Sequence, residues 1–190
     1  MKQQMRASAY HLKLSEVKKL IIATNNFRDR CIVKTLFWLG LRRKELCGLD
    51  VRDIDFDRRR VKVRGKGDKV RIIPIIEDES MSDIKHLVGA RQEGPVFLSN
   101  QGKSVSIRLV NHIIEKIGEA SSIENPHPGR KHLNPHIFRH SIARFLKSKG
   151  FSAEWIQNFL GHESYKTTMD MYGTISIDEM QEIAQRRLAE

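Results

Sequence analysis

The stretch His132–Tyr172, HLNPHIFRHSIARFLKSKGFSAEWIQNFLGHESYKTTMDMY, decides how this chain is read. Asn134 is a good helix cap, and Pro135 behind it fits a first helical turn, where its missing N–H costs nothing. Ile137, Ala143, Phe145 and Leu146 then supply a partly apolar helical pattern that runs to a stop at Lys147–Gly150. Ser152 opens a second helix to Leu160, with Trp155, Ile156 and Phe159 inward. His136 and Arg139 stand three apart on the first helix and so share a face. A proton-transfer group beside a permanently charged, bidentate donor suits a phosphate. Taken alone, the pair equally describes a basic surface helix, so its meaning depends on the rest of the chain.

The rest of the chain is basic. A formal net charge of +11 and a pI near 9.9 call for a polyanionic partner, either nucleic acid or an anionic membrane surface. No apolar run is long enough to span a bilayer, and the N-terminal MKQQMRASAYHLKLS lacks the apolar core of a signal peptide. Cys31 and Cys47 fall within helical apolar patterns and form no C-x-x-C. They read as reduced, buried thiols of a cytoplasmic protein, not as a disulfide or a metal site. Nucleic acid is the favoured partner. With 190 residues and 39% hydrophobic content, the chain can bury the core of one domain.

Residues 1–13 are expected to be a loose arm or linker, followed by one domain over 14–190. Ser15 should cap a helix that buries Val17, Leu20 and Ile21. A second helix is expected from Phe27 to Leu39, broken by Gly40, and a short basic one over Arg42–Leu49. The period then changes: Val51–Phe56, Val61–Val63 and Val70–Ile75 read as three short strands, antiparallel because they are so close in sequence. Residues 80–91 form a weak helix pattern and Val96–Leu98 a short extended run. Val105–Ala120 is a clear helix, followed by a Pro- and Gly-punctuated loop carrying Arg130 and Lys131. A last helix is expected over Ile177–Leu188. The fold class is α+β, mostly helical, with a small three-stranded antiparallel sheet.

Five motifs occur in a fixed order: Gly40-Leu41-Arg42, Gly65-Lys66-Gly67, His136-x-x-Arg139-His140, Leu160-Gly161-His162 and then Tyr172. This set resembles the tyrosine recombinase/phage integrase family, over most of the chain from Leu14 to Tyr172. The resemblance implies a site-specific DNA recombinase or integrase whose catalytic residues are Arg42, Lys66, His136, Arg139, His162 and Tyr172. Arg42 and Arg139 would neutralise charge developing on a phosphodiester. Lys66, in its β-turn, would protonate the leaving oxygen. His136 and His162 would face the phosphate, and Glu45 would support Arg42. Tyr172 would be the nucleophile, its flanks Thr167, Thr168 and Gly173 matching the family. Tyr165 lies too close to the Leu-Gly-His turn to serve.

In that family a 3′-phosphotyrosyl link conserves the bond energy, so neither cofactor, metal nor ATP is implied. Members act on double-stranded DNA as homo-tetramers on paired sites, and the Ile177–Leu188 helix fits a docking role on a neighbour. Members also carry an N-terminal helical domain that clamps the DNA, and this chain begins near where the catalytic domain should. Three competing readings use the same residues. His136 and His140 at i and i+4 could suggest zinc, but no third ligand of recognisable spacing accompanies them. Residues 135–160 could form a helix-turn-helix of a non-catalytic DNA-binding protein. Asp50, Asp53, Asp55 and Asp57 could serve a metal-dependent nuclease, yet they alternate with strand residues like a solvated face.

Overall fold

A computed structural model describes residues 10–65, 67 and 69–161. Helix α1 (Leu14–Ile22) buries Val17 and Leu20 on its inner face. It starts earlier than Ser15 would have set, with Lys13 at the cap position and the Glu16 carboxylate accepting from the Lys13 N–H at 2.7 Å. Residues 10–13 before it pack on the domain, while residues 1–9 of the expected arm lie outside the described residues. Leu12 is buried, its N–H donates to Ser141 Oγ at 2.8 Å, and the Tyr10 ring lies 4.6 Å from that of His127.

Helix α2 (Phe27–Trp38) runs through the middle of the core, which is why even Lys34 and Thr35 on it are buried. Lys34 is kept there by Glu79 and Asp83, each 2.6 Å from its Nζ. Gly40 ends the following turn with φ +57, and a Cβ there would stand 2.6 Å from Leu160 Cδ2. Helix α3 is the short Arg43–Cys47.

The sheet is smaller than its sequence pattern implied. Val51–Asp53 forms a 3-10 turn, so only Ile54–Asp55 remains as β1. The acidic side chains expected on a strand face instead close turns: Asp50 accepts from the Arg52 N–H at 3.0 Å, and Asp55 from the Arg58 N–H at 2.8 Å. Strand β2 (Arg60–Arg64) pairs antiparallel with β1 and with β3 (Val70–Pro74). In that register Val63 faces Arg71 and Val61 faces Ile73, so Arg71 shares the inward face of the sheet.

Helix α4 (Asp78–Val88) packs on α2. The extended run near residue 97 forms only isolated bridges, Asp50 with Pro95 and Leu98 with Ser104. Helix α5 (Ile107–Ala120) is capped by Ser106, whose Oγ accepts from the Leu109 N–H at 3.1 Å. Helix α6 (Pro135–Ser148) is capped by Asn134, and α7 (Ala153–Leu160) by Ser152, as the sequence predicts. Residues 164–172 and the Ile177–Leu188 helix lie outside the described residues. Helices enclosing a small three-stranded antiparallel sheet bear out the α+β class. Among the described residues no helix is long and apolar enough to cross a membrane.

Candidate active site

Three chain turns meet at one place: the Gly40 turn, the sheet at Arg71, and the end of α7 at Gly161. Arg139 joins the first of these to the last. It is 1% exposed, although the sequence placed it on a helix face shared with His136. Its Nη1 donates to the Gly40 carbonyl at 2.6 Å and its Nη2 to the Leu160 carbonyl. Among the described residues, two of its five N–H groups are used in this way, cross-linking two motif turns. Burial first, then the nearby Arg42, lowers its pKa to about 9, and it remains charged at neutral pH.

Glu45 is the second hub and is also buried. It accepts from the Arg42 backbone N–H at 2.8 Å and from Arg42 Nη1 at 2.9 Å. It also takes a two-pronged contact from Arg71, at 2.8 and 2.9 Å. Burial alone would raise its pKa. The Arg71 hydrogen bonds and charge, with the Arg42 amide, outweigh that and hold the carboxyl below its ordinary range. Glu45 therefore does more than the support for Arg42 expected of it. The carboxylate fixes two arginines at once. Arg42 keeps 40% of its side chain exposed, and its Nη2 reaches the Gly161 carbonyl at 3.5 Å.

Arg71 had no role in the sequence reading. Its signal was the strand's period of two: Arg71 and Ile73 share a face, and that face is buried. Gly161 explains why Arg71 can lie where it does. With φ +64 it terminates α7 in the left-handed region, and a Cβ there would stand 2.6 Å from Arg71 Cδ. The Leu-Gly pair of the motif thus has two physical reasons: the leucine packs against Gly40, and the glycine admits Arg71.

His136 lies at the surface, one turn before Arg139. It lines a cleft of about 410 Å³ with Arg42, Arg43, Lys44, Arg130 and Asn134. Its pKa is lowered, first by the protein crowded around the ring and then by Arg139, Arg42 and Arg130. His140 lies behind it with its ring tilted, 5.3 Å between ring centroids, and burial pushes its pKa down to about 4. Lys66, His162 and Tyr172 lie outside the described residues. Of the described residues next to Lys66, Gly65 donates its N–H to the Lys69 carbonyl at 2.8 Å, which joins the facing ends of β2 and β3. A Cβ on Gly65 would lie 3.7 Å from Glu45 Oε1, so these strand ends lie beside the hub.

Fold and site together define a protein made to hold an oxyanion: two arginines clamped on one buried carboxylate, a third arginine cross-linking the turns, and a histidine at the mouth of a basic cleft. The chain belongs to the phage integrase family, whose model matches residues 11–176. It is 32% identical over 167 residues to the tyrosine recombinase XerC of Thermodesulfovibrio yellowstonii, covering 82% of this chain and 53% of that protein. It is 34% identical over 179 residues to the tyrosine recombinase XerA of Pyrococcus furiosus, covering 90% and 59%. Among solved structures, a XerA recombinase superposes with a TM-score of 0.78 at 27% identity, over 93% of this chain and 64% of that one. A XerH recombinase bound to its difH substrate shares the fold, with a TM-score of 0.71 at 21% identity over 85% and 49%. The chain spans about half the length of the curated relatives it matches. The family expected from the five motifs is the family found.

Proposed function

We propose that this chain is the catalytic domain of a site-specific tyrosine recombinase, cutting and rejoining double-stranded DNA through a 3′-phosphotyrosyl intermediate. The observation that carries the reading is the Glu45 hub, which presents Arg42 and Arg71 beside Arg139 and His136. Fixed cations at a scissile phosphate lower the barrier because they need no reorganisation as charge develops. Arg42, still substantially exposed, is the group that forks onto the phosphate oxygens. Arg139 acts from behind with its remaining N–H groups. His136 is held largely neutral and can donate or accept a proton. Tyr172 passes its phenol proton to a histidine of the site, His136, and attacks phosphorus; the bond from phosphorus to the 5′-oxygen breaks, and Lys66 delivers the proton that the departing oxygen takes up. His162 hydrogen-bonds the same phosphate. Attack by a 5′-hydroxyl of another strand reverses the chemistry and rejoins the DNA.

The activity, the homo-tetramer on paired sites and a cytoplasmic location are what the family resemblance implies. The helix-turn-helix alternative fits the residues less well. The solvent side of α7 offers Glu154 and Asn158 and no cation, a poor face for a DNA groove. The test is covalent trapping on nicked DNA carrying candidate sites, in EDTA, with wild type and Tyr172→Phe compared on a denaturing gel. An adduct present in the first and absent in the second is expected. An adduct that survives the substitution moves the nucleophile elsewhere. Salt-sensitive binding without any adduct favours the binding-only reading.

A further inference from the structure

On the side of α5 away from its cap, Glu115, Glu119 and His132 point their donor atoms at one spot, all within 4.8 Å of one another. Two residues of the fold bring them there. Leu133 packs on Gly118, where an added Cβ would be 3.0 Å from Leu133 Cδ1, so the loop can approach the helix only over a glycine. Buried Asn125 donates to the His132 carbonyl at 2.9 Å and fixes the loop backbone. The two glutamates are one helical turn apart and face the same way.

The distances are long for a charge-assisted hydrogen bond. His132 Nδ1 lies 3.3 Å from Glu115 Oε1 and 3.4 Å from Glu119 Oε1. One Nδ1–H can serve one carboxylate well, and a charge-assisted hydrogen bond would draw in to about 2.7–2.9 Å. Instead a single nitrogen stands nearly equidistant from two like charges. A tetrahedral zinc site with metal–ligand bonds of about 2.1 Å has ligand–ligand edges of about 3.4 Å, close to the two His132–glutamate separations.

We infer that Glu115, Glu119 and His132 bind a borderline divalent cation of the zinc type, with water completing the shell. The mixed nitrogen and carboxylate donors suit such an ion better than magnesium or calcium, which favour all-oxygen shells. The ion clips the 121–133 loop to α5. That loop carries Arg130, which lines the cleft beside His136, so the clip sets the position of a cation at the mouth of the active site. The site is separate from the strand-cutting chemistry and stands or falls without it.

The test is calorimetric titration of zinc chloride into the full chain without DNA, beside Glu115→Gln, Glu119→Gln, His132→Asn and, as a distant histidine control, His86→Asn. Each of the first three should weaken one zinc site by at least about tenfold, since even indirect partners of a metal ligand cost that much, and the control should not. Zinc should also slow tryptic cleavage after Arg130 and Lys131 in wild type but not in Glu119→Gln. All these side chains are partly or well exposed, so zinc-free thermal midpoints should match wild type and show that each variant folds. Zinc affinity unchanged in all three variants, or no zinc binding at all, overturns the inference.

Discussion

At the scale of single residues, Glu45 decides more than any other described side chain. It is 6% exposed, with hydrogen bonds from both Arg42 and Arg71. Glu45→Gln removes the charge and leaves two arginines facing a neutral amide, a loss of about 3 kcal/mol by analogy with broken buried pairs. Denaturant unfolding should show it, and adduct formation should fall with it because Arg42 loses its anchor. The pH dependence has a definite sign. A carboxyl whose pKa is lowered on folding contributes stability that is complete above the unfolded value, about 4.3, and is lost as pH falls through the lowered one. The gap between wild type and Glu45→Gln should therefore close in acid, and a gap that stays constant would show that packing, not charge, sets the loss. Glu45 was visible in the sequence as a partner three residues from Arg42. Its bond to Arg71 was not, because that contact crosses from a helix to a strand and depends on hairpin register.

At the scale of elements, the caps of α6 and α7 and the Gly40 stop were legible, and the Ser15 cap and the strand edges were not. Asn134-Pro135 and Ser152 mark the starts of α6 and α7 because capping is local chemistry. Val51–Asp53 looked like strand because Val51 was grouped with Ile54 and Phe56, yet Asp50 and Asp53 close a turn across it. A local side-chain hydrogen bond overrode a weak pattern. Arg139 misled for a related reason: spacing gives the face of a helix, but not whether neighbouring elements cover it. The same elements make Gly161 a test of how the motif works. Gly161→Ala places a Cβ in the left-handed region, costing about 1–2 kcal/mol, and drives it against Arg71 Cδ at 2.6 Å. Arg71 must swing away from Glu45, so trapping yield should drop further than the stability loss explains. If yield simply tracks the folded fraction, Arg71 does not couple the turn to the site.

At the scale of the whole molecule, the net charge of +11 was the first sign of a polyanionic partner, and the structure concentrates part of it at one cleft. Arg43 and Lys44 are exposed there beside Arg42, and Arg43 also borders the broad groove along the first turns of α5 with Arg108 and His112. Composition gives the sign of the partner but not this placement, which needs α3, α5 and α6 to be packed together. DNA binding driven by such cations releases counterions, so log K falls linearly with log salt, by about 0.9 per phosphate contacted. A surface making about six contacts would lose roughly a thousandfold in affinity between 50 and 200 mM salt. Arg43→Ala should reduce that slope by about 1 and weaken binding to all sequences alike, because a phosphate contact carries no base information. Fluorescence anisotropy on a candidate site and on scrambled DNA, each across a salt series, measures both quantities. An unchanged slope would place Arg43 outside the DNA footprint. A loss confined to one sequence would make it a base reader, and the groove between α3 and α5 would then be where the protein distinguishes its site from other DNA.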